Sequence, residues 1–231
     1  MNDQKKLLSP LVIIQVLFLV VLLPFLPLLI AWRWNWWEAW VYGIVSVLGF
    51  AASRLLVARR HPDLIAERAR TMQNEDAQPW DKRLAPLMGL AGILVLLIAG
   101  LDELMGWSPS FSAPVKIVAL VLMLAGYALS SYALVENRYF SATVRLQTDR
   151  GQTVVSSGPY RWMLHPGYAG ALLVYLVTPL FLDSALAYLP TLLVLGLYIL
   201  RTSMEDDFLQ KKLEGYRDYA KRVRYRLLPG I

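Results

Sequence analysis

The sequence SGPYRWMLHPGYAG, at residues 157–170, joins a polar loop to a long apolar segment. Gly158 and Pro159 favour a tight turn before the segment. Pro166 suits the first turn of a helix because it lacks a backbone N–H and has a fixed φ. The free N–H groups at the start of such a helix bind anions well. This stretch therefore predicts a polar site, with His165 at its centre, where a loop enters a membrane helix.

The composition around this stretch is that of a membrane protein. Of 231 residues, 57% are hydrophobic and only 17% are charged, against roughly 25% in soluble proteins, and the mean hydropathy is +0.45. There are no cysteines and only two histidines, so we expect no disulfide, no thiolate chemistry and no metal site. The class predicted is an all-α, multi-pass transmembrane helical bundle.

Six apolar stretches are candidates for membrane spans, since a helix needs about 20 residues to cross a bilayer. They lie at residues 7–32, 39–57, 84–101, 114–135, 162–182 and 184–200. Pro24 and Pro27 are expected to bend the first span, and Trp32, Trp34, Trp36 and Trp37 resemble an interfacial aromatic belt. The last two spans form a helical hairpin that turns near Asp183, and an amphipathic helix and tail follow.

This pattern predicts one membrane domain with two regions. Residues 1–135 hold four spans and a cytoplasmic loop at 58–83, which begins with a short interfacial helix at Pro62. Residues 136–231 hold a loop, the hairpin and the tail, and this second region is the predicted catalytic region.

Basic residues orient the chain in the membrane. With both termini in the cytoplasm, every Lys and Arg of the 23 lies on the cytoplasmic side except Arg33 and Lys116, as the positive-inside rule requires. The net charge of +6 then indicates contact with anionic lipid rather than nucleic acid. We expect an integral membrane protein with cytoplasmic termini, in the inner membrane if the source is bacterial.

The cytoplasmic ends of the hairpin carry the candidate chemistry. Arg201 and Glu205 share one helix face because they are four residues apart, and ionisable groups at the membrane edge are functional candidates. Each has a plain structural reading as well: His165 as a hydrogen-bonded interfacial residue, and Arg201 with Glu205 as an ion pair that anchors the helix. The sequence alone leaves both readings open.

The combined motifs resemble the isoprenylcysteine carboxyl methyltransferase family, whose wider relatives include phospholipid N-methyltransferases. The resemblance covers residues 137–230. It rests on GPYRWMLHPGYAG at 158–170, on Arg201 with the acidic doublet Glu205-Asp206, and on GYRDYAKRVRYRLLPG at 215–230. The family's arginine before the histidine is Leu164 in this chain. Arg60-His61-Pro62 matches those letters, but no G-P-Y turn precedes it.

The resemblance implies a cofactor, S-adenosylmethionine, and a lipophilic methyl acceptor that is a small molecule or a prenylated substrate. Arg201 and Glu205 would be catalytic, with Arg201 holding the acceptor's charge and Glu205 orienting Arg201. The cofactor-binding residues implied are Gly158, Tyr160, His165, Pro166, Tyr168 and Glu205.

The sequence is also compatible with three different functions. The chain could methylate a phospholipid nitrogen, or be an NADPH-dependent sterol-reductase-like enzyme, which has a similar tail. It could also be a non-catalytic scaffold, which the leucine at position 164 favours. Walker, G-x-G-x-x-G, H-E-x-x-H and G-x-S-x-G motifs are absent from the sequence, which excludes the corresponding soluble nucleotide and hydrolase sites. The sequence says nothing about the oligomeric state.

Overall fold

The computed structural model describes residues 18–69 and 76–227, and these residues contain helices and no strand. The predicted all-α class is therefore confirmed for the described part of the chain. Its helices are α1 (Leu26–Ala31), α2 (Trp37–Arg60), α3 (Pro62–Ala69), α4 (Asp81–Met105), α5 (Ala113–Glu136), α6 (Pro166–Phe181), α7 (Tyr188–Lys212) and α8 (Tyr216–Arg222).

Three helices, α2, α4 and α5, are long and apolar enough to cross a membrane. The apolar helical segment Val20–Ala31 and α6 are shorter. Helix α7 has 25 residues, but nearly half of it, from Arg201 onward, carries charged residues. The multi-pass membrane class is confirmed, whereas the number six stays a prediction. The predicted first span begins in residues 1–17, outside the described part.

Two helix ends differ from the ends of the predicted spans. Helix α4 continues past residue 101 through Asp102 and ends at Gly106, which has a positive φ of 65°. Helix α6 begins at Pro166 rather than at 162, because the N–H groups of Leu164 and His165 donate to the carbonyl groups of Tyr225 and Arg226. The preceding residues are thus held by the tail and cannot join the helix.

The proline-rich start of the bundle is irregular, as Pro24 and Pro27 predict. A π-helical turn at Phe18–Leu22 and a 3-10 turn at Leu23–Phe25 precede α1. The expected tryptophan belt is only partly outward-facing. Trp32, Trp34 and Trp37 are at least half exposed, whereas Trp36 is buried in the core, so the prediction is wrong for Trp36.

Helices α5 and α6 approach at backbone distance through two glycines. A Cβ atom at Gly170 would lie 2.5 Å from the carbonyl oxygen of Gly126, and one at Gly126 would lie 2.7 Å from that of Gly170. Small residues allow such approach in membrane helices, where packing drives association. This contact joins the two predicted regions on either side of residue 135 into one bundle.

The bundle exposes large apolar side chains on its flanks, among them Leu90, Ile117 and Leu189, each 60% exposed or more. Such a surface fits lipid rather than water. Polar side chains gather at the two ends. One end of the bundle, which we call the Asp102 end, contains the loop at 106–112 and the turn at 182–187. The other, which we call the Arg201 end, contains residues 136–165 and the tail at 223–227.

Candidate active site

The loop before α6 is held in place by tyrosines. The G-P-Y motif forms a 3-10 turn, Gly158–Arg161, and Gly158 has a φ of 55°, a conformation that favours glycine. The buried Tyr160 hydroxyl lies 3.3 Å from Nδ2 of Asn137, and the Tyr219 hydroxyl donates to the Tyr160 carbonyl oxygen at 2.7 Å. Burial raises the pKa of Tyr160, so its phenol stays neutral. Helices α5 and α8 thereby fix the loop.

His165 caps the N-terminus of α6 and points between two carboxylates. Its ring stacks on Tyr168 with centroids 5.6 Å apart and planes inclined by 5°. Its Nδ1 lies 4.0 Å from Oε2 of Glu205 and its Nε2 lies 3.9 Å from Oδ1 of Asp206, both beyond hydrogen-bond distance. The buried Nε2 atom has no hydrogen-bond partner among the described residues.

The two acidic residues after Arg201 have different partners. Oε2 of Glu205 accepts a hydrogen bond from the Tyr168 hydroxyl at 2.6 Å. Asp206 is buried and accepts from the Tyr216 hydroxyl at 3.0 Å, with the Arg226 guanidinium 3.2 Å away. Burial alone would raise the pKa of Asp206, but His165, Tyr216 and Arg226 outweigh it and hold that pKa below its usual range. Asp206 therefore fastens the tail, and Glu205 is the acid that faces the open cleft.

Arg201 pairs with Asp81, at the start of α4, and not with Glu205. Its Nε and Nη2 donate to the two oxygens of the fully buried Asp81 carboxylate at 2.8 and 3.1 Å. Nη2 also donates to the Ala142 carbonyl oxygen. The prediction that Glu205 orients Arg201 is wrong, because Asp81 supplies the two-point contact that a guanidinium fits best. The Tyr168 ring lies 5.4 Å from the guanidinium carbon.

Leu164 lies in the interior, where an arginine would lose its hydration. It packs with Tyr160, Tyr216, Tyr219 and Val223 in a small cluster between the loop and the tail. Positive charge on this side of the cleft comes instead from Arg226, on the tail.

A cleft that is partly open to solvent brings most of the predicted site residues together. Tyr160, His165, Tyr168, Arg201 and Glu205 all line it. Gly158 and Pro166 are not among the lining residues; they shape the turn and the helix start beside it. The remaining wall is formed by several residues between 137 and 155 of the loop and by Leu164, Gly167, Leu209, Leu213, Tyr216 and Tyr219.

A second cavity lies between the membrane helices on the other side of Tyr168. Its lining is mainly apolar and comes chiefly from α2, α4, α5, α6 and α7. Five residues line both spaces: Phe140, Ser141, Gly167, Tyr168 and Arg201. A polar cleft and a membrane cavity thus meet at one thin partition.

Sequence reasoning missed the structural roles of two acidic residues near the site. Asp81 precedes Lys82, Arg83 and an apolar run, and it belongs to no motif. Asp206 belongs to the acidic doublet, yet only the fold shows that its partners are Tyr216 and Arg226. No sequence signal distinguished Asp81, because the adjacent Lys82 and Arg83 are apparent partners for its charge.

The fold and the site define a helical membrane protein with a polar cleft at one end of the bundle. Residues 118–211 match the model of the isoprenylcysteine carboxyl methyltransferase (ICMT) family, a range that includes α6 and nearly all of α7. The predicted ICMT-like resemblance is confirmed over these residues.

Two relatives from rice agree with this match. Each is named probable protein-S-isoprenylcysteine O-methyltransferase, one from Oryza sativa subsp. indica and one from Oryza sativa subsp. japonica, and each is 29% identical over 112 residues. The matched segment covers 47% of this chain and 59% of the relative. The chain therefore spans about three fifths of the length of these relatives.

Proposed function

We propose that this protein is a membrane methyltransferase that uses S-adenosylmethionine and acts on the carboxylate of a lipophilic acceptor. The observation that carries the proposal is the pair of spaces that meet at Tyr168 and Arg201. A water-soluble methyl donor fits the cleft, and an acceptor dissolved in lipid fits the membrane cavity. The name of the rice relatives and the ICMT family match support the same reaction class.

The cleft residues fit S-adenosylmethionine chemically. This cofactor supplies a methyl group on a sulfonium cation and carries an amino-acid end. Glu205 offers a negative charge to the cation, and the unpartnered Nε2 of His165 is suited to the polar amino-acid end. Tyr160, Tyr216 and Tyr219 provide aromatic surface for a flat ring. We assign cofactor binding to Tyr160, His165, Tyr168 and Glu205, with Gly158 and Pro166 shaping the loop.

The partition aligns the two substrates. A carboxylate acceptor is ionised at neutral pH, so no general base is needed, and the protein contributes orientation. Arg201 uses Nε and Nη2 for Asp81 and Ala142, and no described protein atom accepts a hydrogen bond from its Nη1. Arg201 is thus held rigidly by Asp81 and can still donate to an acceptor at the partition. Glu205, with its hydroxyl partner on Tyr168, holds the donor side.

The test is transfer of labelled methyl groups. Purified full-length protein is incubated with methyl-labelled S-adenosylmethionine and a membrane-lipid extract, and the lipid fraction is treated with mild alkali. A methyl ester releases volatile methanol, which is the expected result, and Glu205→Gln should reduce both turnover and cofactor binding. Label that enters lipid but stays non-volatile would indicate N-methylation instead.

A binding comparison distinguishes a methyltransferase from a reductase and from a scaffold. Wild-type protein in detergent is titrated with S-adenosylmethionine and, separately, with NADPH. We expect binding of the first alone. Preference for NADPH would support a reductase, and binding of neither would support a scaffold.

A further inference from the structure

The membrane cavity has a polar face that the reaction itself does not explain. Helix α2 contributes side chains at helical spacing, all on one side of the helix. They are Tyr42, Ser46, Gly49, Phe50, Ser53 and Arg54. Ser46 bonds to the Tyr127 hydroxyl at 2.9 Å across the cavity, so these two polar groups satisfy each other. Arg54 is the exception.

Arg54 is a charged side chain without a described carboxylate partner. Its guanidinium lies over the Phe50 ring, 4.7 Å from the ring centre. Its Nη1 atom is buried and has no hydrogen-bond partner among the described residues. An unpaired buried charge is unfavourable, and charged residues within membrane segments usually face a cavity with a function. The position therefore favours an anionic ligand.

The charged residues around Arg54 offer no described carboxylate that could pair with it. Arg68 and Arg201 line the same cavity, and Asp81 is bound to Arg201 in a two-point contact. Burial, followed by the charges of Arg54 and Arg201, lowers the pKa of Arg68 to about 10. Burial is the largest cause of that shift, and the neighbouring Arg54 guanidinium adds to it. A ligand with a negative group would offset these positive charges, whereas a neutral lipid would not.

We propose that Arg54 binds the acidic group of a single-chain lipophilic acceptor and selects anionic acceptors over neutral ones of the same shape. This inference rests on the proposed function and deepens it. Arg54 lies on α2, before the residues that match the family model, and its role differs from that of Arg201, which Asp81 holds at the partition. Arg54 acts as a specificity-determining residue, and its own contribution is to binding rather than to the chemical step.

The experiment measures binding of three tritiated probes to the full chain in lipid nanodiscs. The probes are N-acetyl-S-farnesylcysteine, its carboxamide, and farnesyl phosphate. The first two share one shape and differ in charge, and the third asks whether a phosphate serves as well as a carboxylate. The variants are Arg54→Gln, Arg54→Lys and, as the matched control, Arg59→Gln, an exposed arginine on the same helix.

We expect wild type to bind the carboxylate at least about tenfold more tightly than the carboxamide, as for a charge-assisted hydrogen bond. Arg54→Gln should reduce that ratio to near one, Arg54→Lys should keep part of it, and Arg59→Gln should keep all of it. In turnover, Arg54→Gln should raise KM far more than it lowers kcat. Tighter binding of the phosphate probe would assign the site to phosphate-bearing lipids.

Three outcomes would overturn the inference: a full carboxylate preference in Arg54→Gln, an equal loss in Arg59→Gln, or no preference in wild type. Misfolding is checked by thermal unfolding without probe, in which Arg54→Gln should match or exceed wild type because an unpaired charge is removed. Cofactor binding on the same samples separates the two proposals. Absence of S-adenosylmethionine binding in wild type would refute the proposed function and leave the anion preference testable.

Discussion

Both ends of the bundle bury acidic side chains, but they satisfy them differently. At the Asp102 end, Asp102 accepts hydrogen bonds from Ser108 and Ser184, and Lys116 pairs with both Glu38 and Asp183. At the Arg201 end, Glu205 faces an open cleft, and the buried Nε2 of His165 has no hydrogen-bond partner among the described residues. Polar groups that satisfy one another stabilise a fold, whereas polar groups that face open space are suited to a ligand.

The difference also shows how to separate stability from function by experiment. Substitutions at the Asp102 end should lower the free energy of unfolding and leave cofactor affinity unchanged. Substitutions of cleft residues at the Arg201 end should lower cofactor affinity and leave the free energy of unfolding nearly unchanged. Arg201 itself belongs to both groups, because its pair with Asp81 is buried and its guanidinium lines both spaces.

The orientation of the two ends gives an all-or-none prediction. The charge asymmetry predicts that the Asp102 end lies outside the cytoplasm. In this cysteine-free chain, an exposed Ser110→Cys should react fully with an impermeant thiol reagent on intact cells, and an exposed Thr148→Cys should react only after lysis. The neighbouring Gln147 is unsuitable as a probe because it is 1% exposed. The reverse labelling pattern would invert the topology.

The Arg201–Asp81 pair should give the largest stability effect. Arg201→Met leaves the Asp81 carboxylate buried without its cation, so we expect a loss of about 3–5 kcal/mol in the free energy of unfolding. Adding Asp81→Leu should recover part of that loss, which a double-mutant cycle measures by thermal unfolding in detergent.

The matched control is the pair of Arg33 and Glu103, in which the arginine side chain is 55% exposed and the glutamate side chain 15%. Arg33→Met should cost less than about 1 kcal/mol. Additive costs for the Arg201 and Asp81 substitutions would contradict the assignment of one coupled pair.

The two histidines provide a test of the comparison that uses cofactor binding. His165→Ala removes a side chain that lines the cleft and should weaken S-adenosylmethionine binding about tenfold or more. His61→Ala should leave the affinity unchanged, since His61 does not line the cleft. Asp102→Ala should also bind normally while unfolding at a lower temperature. An equal loss in both histidine variants would show that the effect comes through folding.

The smallest expected effect is the pH dependence that Asp206 contributes. Its pKa in the folded protein lies below the usual value, against the effect of burial, because His165, Tyr216 and Arg226 favour the ionised form. The stabilisation is therefore complete above the unfolded pKa near 4 and is lost as the pH falls through the lower folded value. Asp206→Asn should remove this acid-dependent part of the unfolding profile. Identical profiles below about pH 4 would contradict it.

The parts of the fold that the sequence predicts are those that apolar length and turn residues determine. The interfacial helix that begins at Pro62 and the helix start at Pro166 both lie where the sequence predicts them. The predicted span boundaries at residues 101 and 162 do not match helix ends, because partners far along the chain decide where α4 ends and α6 begins. Ser184 bonds to Asp102 from 82 residues away, and no local pattern carries that information.

The candidate site also contains some residues that local motifs predict and others that only the fold reveals. Local motifs predict His165, Tyr168 and Glu205, and these residues lie together at the cleft. The partner of Arg201 could not be predicted, since Asp81 is 120 residues away and Glu205 is the acid at helical spacing. In the sequence Arg54 is one arginine of a basic segment, and only the cavity beside it distinguishes it from Arg59 and Arg60.

The backbone contact of Gly126 with Gly170 bears on how the range of acceptors can change during evolution. Helices α5 and α6 cannot move apart or carry larger residues at these positions without losing their packing, so the side of the cavity next to the cleft is effectively invariant in shape. Helix α2 has no such constraint at Gly49, where an added Cβ would lie 3.6 Å from the Tyr127 ring, an ordinary contact. New acceptors are thus expected to arise through substitutions on α2, while the donor side stays unchanged.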